Sequence, residues 1–264
     1  MEQTVRPPAV SGLFYPAERG VLQQQVAGFL EKAGTDNVAP PKALIAPHAG
    51  YPFSGAVAGE AYATVRAMAD RIERVILLGP SHRIPFRGIA ASSADYFATP
   101  MGNVRVDQAT QADLVAQRSD VVYREDAHER EHGLEVHLPF LQALMDDFSV
   151  VPLVVGDATP EEVGTLLDSL WGGPETLIAI SSDLSHFMDY DSAVRRDRAT
   201  SEAIENLAWE KVRDGDACGR HPINGLLWLA RQKGLEGRIL DLRNSGDAGA
   251  PRDSVVGYGA YVFH

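Results

Sequence analysis

The sequence predicts an α/β fold: a central, largely parallel or mixed twisted sheet with helices on both faces. Three observations carry that reading. Short apolar runs ("KALIAP", "RVILLGP", "SVVPLVVG", "TLIAISS") recur along the chain with almost no polar interruption, as strands buried on both sides require. Segments with helical hydrophobic period stand between them. A chain of 264 residues, 45% hydrophobic and 23% charged, is long enough for one large core, and we read residues 1–264 as a single domain.

Taken in order, the chain opens with a helix over about 17–33. The link "GTDNVAPP" (34–41) is short enough to be a loop inside a domain. "KALIAP" (42–47) is the first core strand. "SGAVAGEAYATVRAMA" (54–69) follows as a helix with Ser54 near its cap. "RVILLGP" (74–80) and "SVVPLVVG" (149–156) are the next two strands. Pro139 suits the first turn of a helix through "PFLQALMDDF". "TPEEVGTLLDSLW" (159–171) opens on a Thr-x-x-Glu capping box, and "TLIAISS" (176–182) is a fourth strand. A long polar helix covers about 189–213, "INGLLWLARQKG" (223–234) is another helix, and the alternating "VVGYGAYVF" (255–263) closes the sheet.

Composition excludes some functions. A net charge of −12 argues against nucleic acid or an anionic membrane as the main partner. The first residues lack the basic and apolar regions of a secretory signal. No apolar run reaches the roughly 18 residues that span a bilayer. A single cysteine forms no internal disulfide, which suits a reducing compartment, so a cytoplasmic location is expected.

The functional signal lies where strands end. The first strand runs into His48, the second into His82 and the fourth into Asp183 and His186. In open α/β sheets ligands bind outside the carboxyl ends of strands, so parallel neighbours would bring these residues to one place. One such histidine alone is commonly a hydrogen-bonded loop residue; three strand exits of one kind point to a shared site.

"HEREH" (128–132) matches the H-E-x-x-H zinc motif literally. It lacks the apolar stripe of a helix and runs straight into Gly133, so His128 and Glu129 read as a solvated segment. His132, Glu135 and His137 either cap and solvate the following helix or support the histidine site. Cys218, in "GDACGRHPING" (215–225), precedes a helix in which Pro222 fits the first position. A lone cysteine is most often simply buried. Its polar, glycine-containing surroundings favour a reactive or ligating thiol instead, with the helix N-terminus and Arg220 stabilising the thiolate.

The ordered motifs "APHAGYPFSG", "LGPSH", "EHGLEVHLPF", "SSDLSHF" and "CGRHPI", with the ending "DSVVGYGAYVFH", resemble the Memo family, whose prokaryotic members are also named protein B of the AmmeMemoRadiSam system. The resemblance implies the fold of class III extradiol dioxygenases, which are non-haem Fe(II) enzymes. It implies His48 and His82 as metal ligands, with Cys218 where those enzymes keep a glutamate. It implies His186 as the acid–base residue and His132 as a substrate-side histidine. The matching motifs add Tyr51, Glu131, Glu135, His137, Arg220 and His221 as substrate or supporting residues. A thiolate ligand widens the candidate metals from Fe(II) to copper and zinc.

Three functions follow as expectations. The first is a metal-dependent oxidoreductase acting on a small molecule, with His186 moving a proton and Asp183 placed to orient it or to cap the next helix. The second is a non-catalytic metal-binding or peptide-binding adaptor. The third is an enzyme with a Cys218 nucleophile paired to His186 or His132. The system name implies a radical SAM protein and an AMMECR-type protein as partners.

Overall fold

In the run at 74–80, Val75 and Leu77 pack into one hydrophobic core while Ile76 and Leu78 pack into a second on the opposite side of the sheet. Leu44 and Ala46 oppose Ala43 and Ile45 in the same way, as Leu177 and Ala179 oppose Ile178 and Ile180. Side chains alternate along a strand, so a run apolar at every position must be covered twice. The computed structural model of the chain describes residues 3–34 and 38–264. Residues 35–37 of the predicted link lie outside the described residues.

The first half of the chain forms β1 (Val5–Arg6), α1 (Arg19–Lys32), β2 (Ala43–Ala46), α2 (Tyr51–Ala63), β3 (Arg74–Pro80), β4 (Ile89–Ala91), β5 (Tyr96–Thr99) and β6 (Gly102–Val106). Next come α3 (Gln108–Gln117), β7 (Val121–Tyr123), α4 (Glu125–Glu129), α5 (Leu138–Leu144), β8 (Ser149–Val155) and α6 (Pro160–Ser169). The last third forms β9 (Thr176–Ser181), β10 (His186–Met188), α7 (Tyr190–Glu205), α8 (Arg220–Lys233), β11 (Gly237–Asn244) and β12 (Val255–Phe263).

The strands of the described residues form one 12-stranded mixed sheet. Its centre, β6-β8-β3-β9-β2, is parallel throughout. β12 joins antiparallel to β2, and β11 and β10 both pair antiparallel with β12. Helices α1, α2 and α5 cover one face through Leu22, Val26, Val57, Tyr62 and Phe140. Helices α6, α7 and α8 cover the other through Val163, Leu167, Ile204, Ile223 and Leu227.

Several boundaries differ from the sequence reading; α2 and α5 end early, at Ala63 and Leu144. Helix α2 begins at Tyr51, capped by Gly50 with Pro52 in its first turn, and Ser54 lies inside it with Oγ donating to the Ala49 carbonyl. The polar helix stops at Glu205, because Leu207 adopts a left-handed backbone (φ 55°); only a short 3-10 turn at Trp209–Lys211 continues it. Helix α8 starts at Arg220, so Pro222 is its third residue. The segment around His128 is a short helix, α4, and His128 is buried at 1% exposure, whereas Glu129 is exposed as expected. Its ring packs edge-on against Phe97, 5.9 Å between centroids, and its Nε2 donates to the Ala90 carbonyl at 3.0 Å. Charged neighbours disguised a residue whose own side chain turns inward. The Thr159–Glu162 capping box forms as predicted.

No helix among the described residues is long and apolar enough to cross a membrane.

Candidate metal centre

Strands β3, β9 and β2 are adjacent and parallel, so all three discharge onto one edge of the sheet, where such folds bind ligands. His48 follows β2, His82 follows β3 and Asp183 follows β9, each by two residues. Ala46 is in register with Ser181, which sets His48 beside Asp183, and the His48 amide donates to Asp183 Oδ1 at 2.8 Å.

Cys218 comes from the turn before α8. Its amide donates to the Asp183 carbonyl at 3.2 Å, and the Gly219 amide donates to Ser182 Oγ at 2.9 Å. A side chain at Gly219 would place Cβ 2.7 Å from the Ser181 carbonyl oxygen, so glycine permits this approach. Cys218 Sγ lies 3.2 Å from His48 Nε2. One ligand atom each from His48, His82 and Cys218 falls within 4.8 Å of the others.

Supporting hydrogen bonds fix which ring nitrogens face inward. Ser181 Oγ donates to the Gly133 carbonyl, so its lone pair accepts from His48 Nδ1 at 2.5 Å. His48 Nε2 is then left bare, toward Cys218. Glu131 Oε1 accepts from His82 Nδ1 at 2.7 Å, which leaves Nε2 as the ring nitrogen of His82 not spent on Glu131. A metal-binding histidine characteristically donates its second N–H to a carboxylate or other acceptor in this manner. Two imidazoles, each with Nδ1 spent on an acceptor, and a thiol that can ionise are a donor set suited to Fe(II), copper or zinc.

The electrostatics agree in part. Burial, then the neighbouring His82 and His132, hold His48 well below the usual histidine pKa, so it stays neutral. Burial and His82 bring His132 down to about 4. Burial pushes Asp183 up to about 6, against the His48 amide that favours its charge. Burial pushes Glu131 up, but the His82 hydrogen bond and charge outweigh that and leave it lowered. Burial and then Asp183 push the Cys218 thiol up, the reverse of the expectation from the helix N-terminus and Arg220. Arg220 is engaged elsewhere, 2.6 Å from Asp214 and 3.0 Å from His221 Nε2.

Of the remaining sequence candidates, His132 reaches the site. Its ring stacks on His82 with centroids 4.4 Å apart, and lies 5.4 Å from His48 and 4.9 Å from Phe14. His186 is half-buried on β10, with Nδ1 donating to the Leu184 carbonyl at 2.8 Å and Nε2 unused. Asp183 turns its carboxylate to His48, not to His186, so the Leu184 carbonyl orients His186. Cys218 Sγ meets His48 Nε2, and among the described residues no hydrogen bond joins it to His186 or His132. His221 Nδ1 donates to the Ala158 carbonyl at 2.6 Å and, with Cys218, Pro80 and Phe86, lines a cavity of about 240 Å³.

Three other candidates bond to neighbouring segments and not to the three ligand residues. Tyr51 donates to the Val136 carbonyl at 2.7 Å. His137 Nδ1 meets the Tyr62 hydroxyl at 2.9 Å, wholly buried. Glu135 binds Arg6, the amides of Ala9 and Val10, and the Tyr15 hydroxyl. Sequence reasoning missed Ser181, Phe14 and Arg6. The only trace of Ser181 was its place as the last residue of a strand that feeds the site.

A family model described as "Memo-like protein" matches residues 6–262. A "MEMO1 family protein" of Saccharolobus solfataricus is 33% identical over 285 residues, covering 98% of this chain and 99% of that protein. A "MEMO1 family protein" of Sulfolobus acidocaldarius is 32% identical over 277 residues, covering 96% and 97%. Among solved structures, an uncharacterized protein from Escherichia coli K12 aligns over 83% of this chain and 98% of its own, with TM-score 0.53 and 12% identity. At that identity the likeness shows the fold alone.

Proposed function

The chain belongs to the Memo-like protein family, and from that membership we propose a metal-binding protein that holds one ion, Fe(II) before copper or zinc, on His48, His82 and Cys218. We propose further that it carries out metal-dependent redox chemistry on a small molecule at that site. The observation that supports this reading is the pair of aimed imidazoles. His48 and His82 each spend Nδ1 on a fixed acceptor, Ser181 or Glu131, and a ligand atom of each lies within 4.8 Å of Cys218 Sγ.

A bound ion of this class supplies Lewis acidity and, for iron or copper, an electron couple. As a ligand Cys218 would be held as the thiolate, and the Asp183 amide, 3.3 Å from Sγ, would donate to that charge. His186 keeps Nε2 free to take a proton from a substrate hydroxyl, because Nδ1 is held by Leu184. His132 and Phe14 form an aromatic wall beside the two histidines.

Elemental analysis of anaerobically purified protein beside the Cys218→Ser variant tests the metal. Near-stoichiometric iron, copper or zinc that falls sharply in the variant supports the reading. No metal in either, after reconstitution with each ion, rejects it and favours an adaptor. Association with radical SAM and AMMECR-type proteins belongs to the same proposal, and co-purification tests it.

A further inference from the structure

Residues 4–15 are bound at three places to parts of the molecule distant in sequence. At one end Thr4 donates to Asp95 and Val5–Arg6 pairs in parallel with β5. At the other end the Phe14 carbonyl accepts from the Tyr51 amide at 2.8 Å, three residues beyond His48. Between them Arg6, 6% exposed, aims its guanidinium into the loop 128–135. Nε donates to the His128 carbonyl at 3.1 Å, Nη2 to the Glu131 carbonyl and Nη1 to the carboxylate of Glu135. Glu135, fully buried, also takes the amides of Ala9 and Val10 at 2.7 and 3.0 Å and the Tyr15 hydroxyl at 2.5 Å.

The gripped loop carries the supporting groups of both imidazoles. Glu131 holds His82 by ring and amide, and the Gly133 carbonyl accepts from the serine that holds His48. The same strap lays Phe14 on His132. We propose that residues 4–15 form a strap that positions the metal centre, with Arg6 and Glu135 as the positioning residues that transmit its hold to Glu131 and Gly133. An ion pair meant only to pin the N-terminal segment would need one guanidinium nitrogen. Arg6 commits its other donors to the backbone on either side of residues 129 and 130, which fixes where Glu131 stands.

This inference rests on the metal-site reading for its purpose but not for its geometry, and its test separates the two. Arg6→Lys keeps a charge opposite Glu135 and cannot reproduce the planar three-way fork. In the metal-free full-length protein, the His82 and Gly133 amides, both bonded to Glu131, should exchange with solvent about tenfold faster, with α8 amides unchanged. Co(II), followed by its thiolate charge-transfer band, should bind about tenfold more weakly.

His82 and Gly133 exchange within twofold of the native protein, with only the melting temperature lowered, would overturn the strap's positioning role. A native protein that takes up no Co(II) refutes the metal reading, and the exchange rates still decide the strap. If Arg6→Lys does not fold, Tyr15→Phe removes one bond to Glu135 without altering charge. It should speed the same two amides by a smaller factor, about threefold; unchanged exchange there also overturns the proposal.

Discussion

His82 and Glu131 are joined twice through one carboxylate: Oε1 takes the ring Nδ1 at 2.7 Å and Oε2 takes the His82 amide at 2.7 Å. Backbone and ring are held together, so the carboxylate sets the direction of Nε2 as well as its tautomer. Glu131→Gln keeps the shape, but its amide group must turn an N–H toward a donor or give up one bond. Metal affinity should fall by about 10- to 100-fold, as for other residues supporting a metal-bound histidine. Co(II) titration of the two proteins checks this; equal affinity would show that His82 needs no help from Glu131.

The Cys218 thiol, raised by burial and by Asp183, should be a poor nucleophile without metal. Alkylation by iodoacetamide at pH 7.5 should run slower than for an unhindered thiol and accelerate as pH rises past 9. Mass spectrometry of the modified fraction reads it directly. Fast stoichiometric labelling at pH 7.5 would restore the case for a cysteine nucleophile.

The central strands were legible because each is buried twice and so carries no polar interruption, and His48, His82, Asp183 and His186 were legible because they stand at those strands' ends. The short strands β4, β5, β6 and β7 were not, since strands of three to five residues at a sheet margin offer too little pattern. Gly50 caps α2 without a side-chain oxygen, which hid the helix start. The partnership of Arg6 with Glu135 joins residues 129 apart in sequence, and only the fold brings them together. Glu135 was therefore left open between capping the next helix and supporting the histidine site, although its bonds run to the N-terminal segment.

Helices α6 and α8 meet through glycine. A Cβ on Gly225 would sit 2.3 Å from Val163 Cβ, and one on Gly164 would sit 2.2 Å from the Trp228 ring. Gly225→Ala should therefore destabilise the fold by about 1–3 kcal/mol despite alanine's better helix propensity, because the core must shift to admit one methyl. Chemical denaturation measures the loss. A stabilised variant would mean that the helices separate more readily than their packing indicates.

Stability should fall on acidification below pH 6.5, in part through His128 and His137. Burial is the leading cause that lowers both, to about 4 and about 3, against an ordinary value of 6.5. Well above pH 6.5 both states are neutral and the residues contribute no pH dependence. Between 6.5 and the folded values the unfolded chain binds protons that the native chain refuses, so each step down in pH favours unfolding. The effect should amount to a few kcal/mol at most and should show as a falling melting temperature between pH 6.5 and 4.5. His128→Gln retains a donor for the Ala90 carbonyl and cannot take up a proton, so its melting temperature should decline less steeply over that range. An identical slope in the variant would assign the acid sensitivity to other groups.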